Sequence, residues 1–342
     1  MNIALLSQFM PPFTGGIQTH VLELAKQFEA RGHRVTMIEG RLGRGTMKRY
    51  FPRRLTNLTE FDVVHLHGFE RLLLLSTVSA RPKRLFVTLH GGACAPQVLP
   101  GVLNRVKAWS DTRAFLPLLR LCSGVIALHA GERERLIRTG ICETNVSVVP
   151  NGVHFVDAAS AANGEPVEKY LLFVGRVVRE KRLDLALRLL SHCDNLILKI
   201  AGPAAASERA RLEFLARTLG VEERVHFLGT VEGELKAHLQ RRAAANVLMS
   251  DYEHQPLSVL EAAQYGTPSI VRNVGGVPYI ARILGDAISI VDTPEDGAKS
   301  AQDFSAETRH ERLLRVENLS GALGEFRWER IAEIILEIYG RG

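Results

Sequence analysis

Glu253 and Glu261, with seven residues between them in Glu253-His254-Gln255-Pro256-Leu257-Ser258-Val259-Leu260-Glu261, say most about chemistry. A strand pattern precedes this segment and a helical pattern follows it. One carboxylate then falls in the loop and the other two turns into the helix, so both can line one ligand at different depths. Carboxylates accept hydrogen bonds from vicinal hydroxyls, which is the chemistry that reading a sugar or a ribose requires.

A second group is built for anions. Gly175-Arg176 ends an apolar run, and Glu180-Lys181 follows just before the helical pattern Leu183, Leu187, Leu190. Arg176 offers a bidentate fork and Lys181 a point charge, and the two can converge on one diphosphate. The competing reading is a solvated loop, since Arg179 and Arg182 stand beside them. Gly15 and Gly16 follow the first apolar run through Pro11 and Pro12 and directly precede a helix, where backbone N–H groups and the helix dipole favour phosphate. Neither a G-x-G-x-x-G nor a P-loop pattern is present. His90 ends a strand pattern and is followed by Gly91-Gly92. His65 and His67 flank Leu66 on one strand face, lack a third ligand in the sequence, and read as structural.

Positioning these residues requires repeated strand–helix units. Apolar runs at Asn2–Leu6, Val35–Ile38, Val63–Leu66, Leu85–Leu89, Val125–Leu128 and Val146–Val149 predict one strand series. Runs at Tyr170–Val174, Leu196–Ala201, Val225–Phe227, Val247–Met249, Ser269–Val271 and Ala287–Ile290 predict another. Ile17, Val21, Leu24, Ala25 and Phe28 share one helical face, closed by Gly32. The alternation predicts an α/β protein with two doubly wound parallel sheets. The segment Val156–Glu168 reads as a linker, Trp328, Ile331, Ile335 and Ile338 as an amphipathic terminal helix, and Val102–Leu121, interrupted at Pro117, as a core-packing helix with an exposed basic face in preference to a membrane-surface helix.

Composition excludes several classes. The chain has 342 residues, 46% hydrophobic and 23% charged, enough for two cores and without disordered bias. Cys94, Cys122, Cys142 and Cys193 show no C-x-x-C pairing and no His partner at metal-ligand spacing, which argues against zinc and against a disulfide framework. Neither a signal peptide nor a spanning helix is legible, which predicts a cytoplasmic protein. Residues 1–150 carry 20 Lys and Arg against 10 Asp and Glu. That basic half is read either as a solubilising surface or as a contact with an anionic membrane surface or lipid diphosphate, which would place the protein peripherally on the inner face of the cytoplasmic membrane.

In order, Gly15-Gly16, Thr88-Leu89-His90-Gly91, Pro150-Asn151-Gly152-Val153, Gly175-Arg176 with Glu180-Lys181, the Glu-x7-Glu pair, Gly266-Thr267-Pro268, Gly275-Gly276 and Trp328-Glu329 resemble the retaining family-4 glycosyltransferases of GT-B fold along nearly the whole chain. The resemblance implies two Rossmann-like domains facing a central cleft: an acceptor-side domain over 1–160, a nucleotide-sugar donor domain over 166–321, and a terminal helix over 322–342 crossing back to the first. It implies Gly15 and Gly16 near the donor phosphates, His90 toward the transferred sugar, and Gly175, Arg176 and Lys181 on the diphosphate. Glu253 would contact donor-sugar hydroxyls, with Gln255, Pro256, Leu257 and Ser258 completing the donor site, and Glu261 would hold the ribose. His90, Glu253, Arg176 and Lys181 would be the catalytic set. The implied partners are a nucleoside-diphosphate sugar and a glycan or lipid-linked acceptor, with no nucleic acid; the resemblance also implies no metal and no other cofactor, in keeping with the absence of a D-x-D triplet from the sequence. Four positions depart from the family pattern: Gln255-Pro256 replaces Phe-Gly, Tyr279 replaces an acidic residue, and His154 replaces Asp. A nucleotide-sugar epimerase and a non-catalytic nucleotide-sugar binder stay open beside transfer.

Overall fold

A computed structural model describes residues 1–8, 10, 16–40, 55–90, 109–155 and 166–341. The chain forms two units: Met1–Gly152 with Phe326–Gly342, and Val153–Glu325. The unit boundary therefore lies at 152/153, and residues 322–325 belong to the second unit, so the returning segment begins at Phe326 and not at residue 322. Val156–Glu168, expected as a linker, lies mostly outside the described residues.

In the first unit, β1 (Asn2–Ser7), β2 (Arg34–Glu39), β3 (Val63–His67), β4 (Leu85–Thr88), β5 (Gly124–Ala127) and β6 (Val146–Val148) pair in parallel in the order β2-β1-β3-β4-β5-β6. The near-continuous apolar character of these strands follows from burial on both faces. Helix α1 (Gly16–Ala30) puts Val21, Leu24, Ala25 and Phe28 against one face, beside Trp328, Ile331, Ala332, Ile335 and Tyr339 of the last helix. Helices α2 (Arg71–Ser79) and α3 (Ala130–Arg138) contribute Leu73, Leu74 and Leu136 to the other face.

The region expected as a helix over Val102–Leu121 is described only from Trp109. There it is one wide turn, Asp111–Phe115, running into 3-10 turns over Leu116–Leu121, so the described part is not a regular basic-faced helix. Pro117 has no N–H to continue the ladder, and the buried Asp111 is drawn inward by Arg71 Nε at 2.6 Å.

The second unit repeats the plan. Strands β7 (Tyr170–Val174), β8 (Ile197–Ala201), β9 (Val225–Gly229), β10 (Ala245–Leu248), β11 (Ser269–Val271) and β12 (Ile288–Ile290) run parallel in the order β12-β11-β10-β7-β8-β9. The helices are α4 (Leu183–Ser191), α5 (Ala206–Thr218), α6 (Gly233–Arg242), α7 (Leu257–Ala263), α8 (Val277–Leu284), α9 (Pro294–Ala306) and α10 (Arg309–Gly324). Helix α10 opens with a capping box between Thr308 and Glu311. Its buried Arg312 donates to the carbonyls of Ala243 and Ala244, each at 2.6 Å, which closes otherwise orphaned acceptors near the base of β10. Among the described residues no helix is long and apolar enough to cross a membrane.

Helix α11 (Trp328–Arg341) completes the first unit's core. Gln27 of α1 and Arg31 just beyond it bond to Glu329, and Arg84 donates to the carbonyl of Tyr339 at 2.7 Å. Tyr339 is fully buried, with its hydroxyl 2.6 Å from His65 Nδ1. Gly152 leaves the space that Trp328 fills: a Cβ there would sit 2.3 Å from the indole ring. Tyr339→Ala is expected to lower the unfolding free energy by about 3–5 kcal/mol, and Tyr339→Phe by about 1 kcal/mol, measured by urea denaturation; equal small losses would contradict this anchoring role.

Candidate functional site

Ligands of open α/β sheets bind beyond the carboxyl ends of the strands, where the strand order reverses. In the second unit that reversal falls between β7 and β10, because the chain winds outward through β8 and β9 and then returns to the other side of β7. The loops leaving β7 and β10 carry Gly175, Arg176 and Lys181 on one side and Glu253 on the other. Lys181 Nζ donates to Glu253 Oε1 at 2.6 Å, and Ser250 Oγ donates to the same oxygen at 2.6 Å. Glu253 is buried, so this pair sits where Coulomb attraction is little screened by water.

The backbone around the pair is equally constrained. Asp251 N donates to the carbonyl of Glu180 at 2.9 Å, tying the two loops together. Arg182, with φ 47°, bonds Asp184 and reaches Asp251 at 2.9 Å, while Arg272 after β11 reaches Asp251 at 3.0 Å. Gly276 N donates to the carbonyl of Glu253 at 2.8 Å. Gly275 has φ +56°, and a Cβ on it would lie 1.8 Å from the Glu253 carbonyl oxygen. Only glycine permits that approach, so the Gly275-Gly276 pair acts as the seat on which Glu253 rests.

Arg176 lies exposed at the end of β7, beside the pair but engaged by no ion pair among the described residues. A strong fork donor is thus carried, exposed to solvent, on the same loop as Lys181. Gln255 and Pro256 are buried, and Leu257 and Ser258 begin α7 half-buried. Pro256 is the N-cap residue of α7, and its carbonyl accepts from Val259 N at 3.1 Å, so the missing N–H costs the helix nothing. Glu261 lies on α7, where Lys236 Nζ donates to Oε1 at 2.8 Å and Gln240 Nε2 to Oε2 at 3.4 Å. Its carboxylate is therefore shared with α6, which the spacing of the two glutamates could not show.

In the first unit the reversal falls between β1 and β3. Gly15 lies outside the described residues, and Gly16 opens α1, exposed to solvent. His90 follows β4 with φ 45°, a left-handed conformation costly for a side chain with a Cβ. Its Nε2 is 3.3 Å from His67 Nδ1, and the buried His20 ring packs edge-on against it with centroids 4.7 Å apart. His65 and His67, expected on one strand face, have different surroundings. His65 is held by Tyr339 and by Thr88 Oγ1 at 2.8 Å, whereas His67 has two further histidines beside it. His20, one helical turn into α1, gave no sequence signal because its neighbours are distant in the chain.

Two family models match the chain: Glycosyltransferase Family 4 over residues 40–155 and Glycosyl transferases group 1 over residues 157–313. MJ1607, an uncharacterized glycosyltransferase of Methanocaldococcus jannaschii, is 31% identical over 176 residues, 50% of this chain and 45% of that protein. The D-inositol 3-phosphate glycosyltransferase of Mycolicibacterium smegmatis is 28% identical over 223 residues, 64% of this chain and 50% of that one. The chain spans about half the length of these curated relatives. Anabaena HepE, solved in complex with UDP and glucose, has the same fold, with a TM-score of 0.77 at 16% identity over 100% of both chains. With models of both halves matched in order and this architecture, the chain belongs to the family-4-like, group-1 glycosyltransferases of GT-B fold.

Burial also makes stability depend on pH. Desolvation lowers the pKa of His20 to about 4 and that of His129 to about 4; the latter ring accepts from Glu132 N as the cap of α3. The unfolded chain binds these protons near pH 6.5, whereas the folded chain excludes them until about pH 4. Their contribution is complete above pH 6.5 and is lost on acidification through that window, at up to about 1.4 kcal/mol per pH unit for each group. The urea midpoint should fall between pH 7 and pH 5; an unchanged midpoint would contradict the neutral, buried state of these rings.

Proposed function

We propose that this chain transfers a hexosyl residue from a nucleoside-diphosphate sugar to a glycan, glycolipid or polyprenyl-linked acceptor, with retention at the anomeric carbon, in cell-surface polysaccharide or glycoconjugate synthesis. The observation that carries the reading is the Lys181–Glu253 pair at the strand-order reversal of the second unit, with Arg176 exposed beside it. The solved complex of HepE with UDP and glucose, a protein of the same fold, supports a nucleotide-sugar donor.

In this reading Arg176 and Lys181 meet the charge of the departing diphosphate, the task a metal ion performs in other transferases. Glu253, already fixed by Lys181 and Ser250 on Oε1, turns its other oxygen to a donor-sugar hydroxyl. Gln255, Pro256, Leu257 and Ser258 line the donor, and Glu261 exchanges part of its contact with Lys236 or Gln240 for the ribose hydroxyls. The basic charge of residues 1–150 fits an anionic acceptor or the inner face of a membrane.

The replacement of Phe-Gly by Gln255-Pro256 favours one second reading, a binder of nucleotide sugars without turnover. Transfer assays on folded variants separate the two: Lys181→Ala and Glu253→Ala should each lower turnover by about 10²–10³-fold, with unchanged circular dichroism at the assay temperature. Near-wild-type rates in either variant would contradict these roles. Donor binding without any product in the wild type would favour the binder, and an isomerised nucleotide sugar formed without acceptor would favour an epimerase.

A further inference from the structure

We propose that His20, His67 and His90 form a binding site for a divalent transition-metal ion of the Zn²⁺ class, with one coordination position left open. Each ring offers one nitrogen, and the three nitrogens lie within 4.8 Å of one another. His67 Nδ1 and His90 Nε2 are already 3.3 Å apart. Two imidazole nitrogens bound tetrahedrally at 2.0–2.1 Å would be separated by about 3.3 Å. Bringing His20 onto the same ion needs a closure of at most about 1.5 Å, within the reach of side-chain rotation.

Three observations point to a ligand rather than to packing alone. The rings converge from three elements at the strand-order reversal of the first unit: His20 from α1, His67 from the end of β3, and His90 from just beyond β4. His20 and His67 are buried, yet the Nε2 of His67 lacks a hydrogen-bond partner, and the Asn151 amide beside His20 can serve only one of its two ring nitrogens. Buried polar atoms are normally paired, and unpaired nitrogens on two of the three rings mark a place where a further group belongs. Burial also keeps both rings neutral, the form that binds a metal.

The chemistry of the donor set selects the ion. Three imidazoles with no carboxylate among them suit Zn²⁺, Co²⁺, Ni²⁺ or Cu²⁺ and disfavour Mg²⁺ and Ca²⁺, which demand oxygen. Three neutral ligands leave the ion its full positive charge, so the fourth position would take water, hydroxide or an anionic oxygen. Around the rings, His65 stacks on His67 at 4.0 Å and is itself fixed by Tyr339 and Thr88, which limits how far His67 can turn. Asn151 stands beside His20, where an amide can orient the ring.

The test is a Co²⁺ titration of chelator-stripped protein. The expected result is the visible d–d absorption of tetrahedral cobalt, saturating at one equivalent and displaced by Zn²⁺. His67→Ala should lose on the order of a hundredfold in affinity, while His226→Ala, at an exposed histidine of β9, should bind as the wild type does. If His67→Ala does not fold, X-ray absorption on the zinc-loaded wild type still decides: three imidazoles and no sulfur around the ion support the site. No cobalt band in the folded wild type, an unchanged band in folded His67→Ala, or sulfur in the shell would overturn it. The readout is metal binding, so its failure is distinct from any failure of the transferase reading.

Discussion

The second unit is organised around one constraint: a buried carboxylate must be held at the open end of a parallel sheet. A charge removed from water costs several kcal/mol unless its partner is close and well aligned. Lys181 at 2.6 Å supplies that partner from the neighbouring loop, and Ser250 at 2.6 Å adds a hydrogen bond from the same loop. Removing Lys181 would strand the buried Glu253 carboxylate, at a cost of about 3–5 kcal/mol, whereas removing Glu253 leaves an ammonium that water can still reach. Such a pair does little for stability compared with an apolar replacement; its value lies in fixing a charged oxygen and an ammonium where a polar ligand can meet both.

Much of the surrounding structure makes that placement possible. The Gly275-Gly276 loop rests on the backbone of Glu253 so closely that a side chain at Gly275 would collide with it. Asp251, bridged by Arg182 and Arg272, pins the β10 loop against the loops after β7 and β11. Further away, the short Gly266-Thr267-Pro268 turn serves packing: Arg315 donates to the carbonyl of Gly266 at 2.8 Å, and a Cβ on Gly266 would meet the carbonyl of Arg312. The glycines of one family pattern thus do different jobs, some seating the site and others admitting α10 or Trp328.

The sheets were legible in the sequence because strands buried on both faces must be continuously apolar, and all twelve apolar runs became strands. The loop positions of Lys181 and Glu253 followed from strand and helix patterns on either side. Their contact did not, because it depends on β10 returning beside β7, a topological fact that no local spacing encodes. The partners of Glu261 were hidden for the same reason, since Lys236 and Gln240 belong to a different helix. The three-histidine cluster was hidden more deeply. His20, His67 and His90 are spread over seventy residues of sequence, and the strand neighbour that seemed to pair with His67 is committed instead to Tyr339, near the far end of the chain.

The central claim is that the strand-order reversal of the second unit, built on Lys181 and Glu253, binds a nucleoside diphosphate sugar. Isothermal titration of the wild type and of Lys181→Ala with UDP, GDP, ADP and their sugar conjugates addresses it most directly. Saturable binding of one nucleotide class by the wild type is expected, weakened by about tenfold or more in folded Lys181→Ala as a charge-assisted contact is lost. Absence of binding across the whole set, or equal affinity in the two proteins, would contradict it.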